Sequence, residues 1–143
     1  MAKASRANRA ALFCDTNVLV RLLSGEPPDQ AEASERALRD PDTPIVLTDL
    51  IVAELAYVLI ARAKMTPAAA AAEIRRILEL GSVEVASEAL LVDALDIWAA
   101  TGVDFADAYL AAITRQTRGT AVLSFDRDFD RIDGVDRVDP ATY

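Results

Sequence analysis

The feature that most constrains this chain is a recurrence. Short apolar runs, each ending on a polar residue, are separated by segments long enough for helices and never by a two-residue turn. Residues 10–14 are continuously apolar and stop at Asp15, similar short runs occupy residues 45–47 and 121–124, and a third short strand reads at 83–85, where Glu84 stands between two valines. A weaker fifth run lies at Arg137 and Val138. A run with no polar alternation is the pattern of a strand covered on both faces. Antiparallel neighbours would be joined by tight turns, whereas parallel neighbours need a crossover, usually a helix. The expectation is an α/β protein of three layers, α/β/α, whose parallel sheet of four to five short strands is flanked by helices.

Start and stop signals place those helices. A short segment follows Asp15 over residues 18–23, and Gly25 with Pro27 and Pro28 breaks it before a polar helix at 29–40. Thr48 or Asp49 is a suitable cap for a helix running to about residue 63, with Leu50, Ile51, Leu55, Val58 and Leu59 at helical spacing. Thr66 followed by Pro67 starts a helix that ends at Gly81, and Ser87 caps one through about residue 100. Asp104 caps the last, which Gly119 closes.

Composition removes whole classes of chemistry. The chain has 143 residues, a net charge of −8, one cysteine and no histidine. Without histidine there is no Ser-His-Asp triad, no imidazole general base and no imidazole zinc site. Cys14 alone makes neither a disulfide framework nor a thiolate zinc cage. Any metal chemistry must therefore use carboxylates, the ligands of hard ions such as magnesium or manganese. The length suits one domain over residues 10–143, preceded by a flexible basic tail at residues 1–9. The longest apolar stretch, residues 50–61, is interrupted by Glu54 and falls short of the roughly 18 residues a membrane span requires. The short apolar run after Lys3, Arg6 and Arg9 meets Asp15 too soon for a secretory signal, so a cytoplasmic protein is expected.

Ligands of parallel α/β sheets bind beyond the carboxyl ends of the strands. Asp15 stands at the end of the first strand and Asp126 two residues past the fourth. Glu54 sits one turn into the helix after the second strand, inside an apolar run. Asp104 and Asp107 share the first turn of the last helix. Each has a plainer reading: Asp15 as a turn or cap residue, Asp104 as an N-cap with Asp107 favoured by the helix dipole, and Asp126 with Asp128 and Asp130 as a solvated acidic loop. Glu54 resists one, because a carboxylate among Ile51, Val52, Leu55 and Val58 needs a cation, a donor or a cleft.

Four segments then carry a resemblance: Phe13-Cys14-Asp15-Thr16-Asn17-Val18-Leu19, Thr48-Asp49-Leu50-Ile51-Val52-Ala53-Glu54-Leu55, Asp104-Phe105-Ala106-Asp107-Ala108-Tyr109-Leu110-Ala111-Ala112, and Val122-Leu123-Ser124-Phe125-Asp126-Arg127-Asp128-Phe129. In this order and spacing the sequence resembles a PIN-domain ribonuclease, specifically a VapC-type toxin of bacterial toxin–antitoxin pairs. The resemblance implies a PIN-like, Rossmann-like fold. It places Asp15, Glu54, Asp107 and Asp126 at the family's four acidic positions, with Asp104 as a frequent fifth, and Asn17 and Ser124 at polar positions that support the acids or hold water. Ser124 departs slightly, since threonine is commoner there.

The same resemblance implies a magnesium- or manganese-dependent endoribonuclease acting on RNA. It also implies inhibition by a cognate VapB-like antitoxin, a homodimer, and a hetero-oligomer with the antitoxin. Asp15, Asp107 and Asp126 are expected to hold the principal ion, and Glu54 to orient water or a second ion. Two rival readings remain: a catalytically inactive PIN-like module that binds RNA or protein, and a phosphatase using Asp15 as nucleophile. The phosphatase lacks its second aspartate, because position 17 is Asn17, and no lysine follows Lys64. Arg21, Arg62 and Arg115, with Lys64, Arg118 and the tail residues Lys3, Arg6 and Arg9, are the candidates to meet RNA phosphates.

Overall fold

In the computed structural model, which describes residues 10–142, every strand is followed by helical chain. The order is β1 (Leu12–Phe13), α1 (Thr16–Ser24), α2 (Pro28–Arg39), β2 (Ile45–Val46), α3 (Asp49–Ala61), α4 (Pro67–Leu78), β3 (Val83–Glu84), α5 (Glu88–Thr101), α6 (Phe105–Gln116), β4 (Val122–Leu123) and β5 (Arg137–Val138). Short 3-10 segments at Arg127–Arg131 and Pro140–Thr142 flank β5. All strand pairs are parallel, and the fold is α/β with three layers, as the strand and helix alternation requires. The tail reading at residues 1–9, including Lys3, Arg6 and Arg9, lies outside the described residues.

Two features of the sheet differ from the sequence expectation. The strands pair as two sheets, β1-β2-β3 and β4-β5, rather than one of four to five strands. Each strand is only two residues long, so each pairing spans two residues and no further, and only β2 has a partner on both sides. The second difference is burial. Residues 10–14 read as a buried strand, yet Leu12 and Phe13 are exposed, Phe13 by 77%. β1 is an edge strand of its sheet. An unbroken apolar run records that a strand could be covered on both faces, while the placement of the helices decides whether it is.

The core lies mainly among the helices. Trp98, Leu91 and Leu95 of α5 are fully buried, and α5 packs most extensively on α6 and then on α4. Trp98 meets Phe105 edge to face with ring centroids 5.4 Å apart, an arrangement aromatic pairs favour. Gly102 ends α5 at φ 70, a conformation that favours glycine. That reversal turns the chain into Asp104 and α6, and so delivers the acids of α6. On α3 the buried face is Val52, Leu55, Ala56 and Leu59, whereas Leu50 points to solvent.

The caps follow the sequence closely. Thr48 accepts from the Ile51 amide at 3.3 Å, Thr66 from Ala69 at 3.2 Å and Ser87 from Leu90 at 3.3 Å. α4 stops at Leu78, three residues before Gly81. No described helix is long and apolar enough to cross a membrane.

Candidate active site: two groups of carboxylates

Asp15 is the N-cap of α1. Its Oδ1 accepts the Thr16 amide at 2.9 Å, which satisfies one of the helix's unpaired first-turn donors. The Thr16 hydroxyl in turn donates to Oε2 of Glu54 at 2.6 Å, joining α1 to α3. This answers the question raised by Glu54 in its apolar run: the side chain is exposed, and its partner is a neighbouring hydroxyl. Asp15 and Glu54 therefore form one group, tied through a residue between them.

Asp107, Asp104, Asp126 and Asp128 form the other. Asp104 occupies the N-cap position of α6 but makes no side-chain cap bond, so the plain capping reading does not account for it. Burial pushes the Asp107 carboxyl above its ordinary value, and the charges of Asp104, Asp126 and Asp128 push it further. Asp126 is held by its own loop. Its amide donates to Ser124 Oγ at 2.9 Å, and its Oδ1 accepts the Asp128 amide at 2.8 Å. Ser124 thus meets the backbone of Asp126.

Arg137 braces the same loop from β5. It donates to the Ser124 carbonyl at 2.9 Å and to Asp130 at 2.9 and 3.2 Å, and its side chain is only 12% exposed. Those partners hold Asp130 below and Arg137 above their ordinary values, the hydrogen bond between them being the leading cause in each case. Sequence reading missed both Thr16 and Arg137. Thr16 left a faint signal, a polar residue at the first position of a helix, and Arg137 left only its place on a strand.

No hydrogen bond joins the two groups among the described residues, and no three of their acids stand close enough together there to hold one ion. By donor chemistry the residues fit a hard divalent cation. All the candidate ligands are carboxylates, and the Asp104 and Asp107 side chains and Glu54 Oε1 accept no hydrogen bond in the described structure. Such an ion would also answer the charge crowding at Asp107.

The remaining sequence candidates separate by position. Asn17 is exposed and bonds to none of the acids. It lines a groove of about 570 Å³ between α1, α3 and α4 together with Arg21, Arg62, Val20 and Met65. Arg21 also donates to Gln30 at 2.9 Å. Arg115 is a correction. It lies in the last turn of α6, eight residues or about 12 Å along the axis from Asp107, and its guanidinium bonds to Asp93 and to the Asp133 carbonyl. Arg118 follows the same far end. The Lys64 ammonium turns back onto the Ala61 carbonyl at 2.8 Å. Burial and the Asp15 charge push the Cys14 thiol up.

One further pair lies beside the site without joining it. The Tyr109 hydroxyl donates to Asp49 Oδ2 at 2.5 Å, linking α6 to α3, while Asp49 Oδ1 is buried without a partner. That bond to Asp49 is the main reason the Tyr109 hydroxyl is pushed up to about 12.

The chain matches no curated protein. Over residues 12–135, a span that contains all five candidate acids, it matches the PIN domain family.

Proposed function

This chain belongs to the PIN domain family, whose members are generally nucleases, and from that membership we propose that it is a metal-dependent endoribonuclease. The observation that carries the reading is the crowding at Asp107, where Asp104, Asp126 and Asp128 add negative charge beyond the ends of the strands. Among the described residues Arg131 pairs with Asp128 at 3.4 Å, but no ion pair reaches Asp104, Asp107 or Asp126, and carboxylates left so suit a divalent cation better than a bare phosphate. In this reading Asp15, Asp107 and Asp126 hold the ion, directly or through water, since no three acids among the described residues stand together as direct ligands, with Asp104 available beside them, and magnesium or manganese is the chemical match. When bound, such an ion supplies activation of water and neutralisation of charge on the phosphoryl and leaving oxygens.

The chain's own residues do the rest. Glu54, with Oε2 fixed by Thr16, presents Oε1 to orient the attacking water and take its proton. Ser124 and Arg137 keep the Asp126 loop in place. Arg21 and Arg62, which face one groove beside Asn17, are positioned to meet RNA phosphates on the α1 side.

The toxin role belongs to the same proposal. The groove between α1, α3 and α4 carries apolar side chains flanked by two arginines, a surface suited to a segment of a VapB-like antitoxin. Leu50 and Tyr57 are exposed on α3 and suit a homodimer contact, giving a hetero-oligomer once antitoxin is bound. Cytoplasmic RNA would be the target. The deciding experiment is RNA cleavage by the wild type and by Asp15→Asn, in magnesium, manganese and chelator. Cleavage confined to the wild type with metal is expected. Cleavage that persists in chelator or in the variant defeats the mechanism, and none under any metal favours an inactive binding module.

A further inference from the structure

Thr16 is set apart from the other helical threonines by where its hydroxyl goes. Thr101, Thr114 and Thr117 each donate to the carbonyl four residues earlier, to Ile97, Leu110 and Ile113 at 2.7, 2.8 and 2.7 Å. That is the usual back-bonding of threonine in or at the end of a helix. Thr16 is the first residue of α1 and has no preceding turn to bond to. Its hydroxyl reaches across to α3, 38 residues along the chain, and donates to Glu54 at 2.6 Å, a length typical of a hydrogen bond to a charged acceptor. Its amide meanwhile donates to Asp15. Thr16 is 4% exposed, while both acids it bonds are exposed. It therefore cannot touch a substrate, although it contacts two residues that can.

We propose that Thr16 is a positioning residue, which fixes Glu54 and Asp15 in one relation by giving its hydroxyl to the first and its amide to the second. The inference rests on the ribonuclease reading only in its activity arm. The bond occupies one oxygen of Glu54 and removes a rotamer choice from a long, otherwise solvated side chain. β-Branching restricts χ1 of Thr16, so the hydroxyl is held toward α3 rather than sampled there. The result is a Glu54 whose second oxygen is held at the surface with less conformational search.

Three proteins test this: wild type, Thr16→Val and Thr16→Ser. Valine keeps the shape and loses the donor; serine keeps the donor and loses a buried methyl. For RNA cleavage, Thr16→Val is expected to lower kcat by about ten- to a hundredfold with KM little changed, the effect of losing a hydrogen bond to a charged group. Thr16→Ser is expected to return to within about threefold of wild type, although the lost methyl lowers its melting temperature. Activity and stability should thus not rank together. A residue with only a packing role would instead make serine the worse variant in both.

The second arm needs no cleavage. Melting temperature is followed through a manganese titration, and Thr16→Val should need about tenfold more manganese than wild type or Thr16→Ser to reach its half-maximal rise, as losses of residues supporting metal ligands do. If the wild type cleaves no RNA, the ribonuclease reading fails while this arm still decides the role of Thr16. Indistinguishable manganese responses in all three proteins, including no response in any, overturn the positioning role. So does a Thr16→Val kcat equal to that of wild type.

Discussion

The two carboxylate groups are built on opposite principles. Asp15 and Glu54 come from different helices and are held by donors: one residue, Thr16, bonds both. Asp104, Asp107, Asp126 and Asp128 come together as like charges, with Arg131 paired to Asp128 alone, and their charges add to burial in pushing the Asp107 carboxyl up. The first group is organised before any ligand arrives. The second stores repulsion that a cation would relieve. On the proposed reading, the rigid half orients and the charged half attracts.

Four measurements would break or sharpen that contrast. The largest effect is expected from neutralising a ligand in either half. Asp15→Asn or Asp126→Asn should lower RNA cleavage by on the order of a thousandfold or more in a steady-state assay, since residues acting as a unit fail together. If only Asp126→Asn has this effect, the hydrogen-bonded half is a scaffold and not part of the ion site.

Next is the brace of the charged half. Arg137→Gln removes the guanidinium from the Ser124 carbonyl and from Asp130, and should lower the urea midpoint measurably, the lost bonds being to a charged group. A cost near zero would mean that the Asp126 loop is held by its own turn alone.

Tyr109→Phe should cost about 1–2 kcal/mol, because it leaves Asp49 without its one described hydrogen bond. The sign of its pH dependence follows from the raised hydroxyl. The bond's contribution is fully present below the unfolded value of about 10 and is lost as pH rises through about 12. Wild-type stability should therefore fall toward the variant's over that window in alkaline melts.

The smallest effect is the most diagnostic. A carboxyl raised in the folded state costs stability when ionised, so Asp107→Asn should melt slightly higher than wild type at pH 7. The advantage should vanish as pH falls below the ordinary carboxylate value, where both proteins are uncharged at this position. Manganese should erase it at neutral pH by stabilising the wild type alone. A variant that melts lower at pH 7 would show that Asp107 is held by contacts rather than strained by charge.

Much of this site was legible in the sequence because its logic is positional. Strand ends, helix starts and the apolar setting of Glu54 all mark themselves in one dimension, so the candidate acids could be named before any contact was known. The sequence leaves the capping reading of Asp104 open, since an aspartate at an N-cap position looks the same whether or not it caps. Arg115, a phosphate candidate by its place near a helix end, sits at the end of α6 opposite Asp104 and Asp107, where Asp93 takes its charge. Thr16 and Arg137 were silent because a hydroxyl or guanidinium carries no mark of which distant acceptor it will meet.

The sequence by itself determined the alternation of short strands and helices, the caps and breaks, and a chemistry limited to carboxylates by the absence of histidine. Those depend on local propensity, periodicity and composition, which are properties of neighbouring residues. Only the tertiary structure decided that β1 is an exposed edge, that the strands pair as two sheets, and that Asp15 meets Glu54 through Thr16 while Asp107 faces three like charges. Those depend on where segments tens of residues apart come to rest, and burial, hydrogen-bond partners and charge crowding exist only once that placement is made.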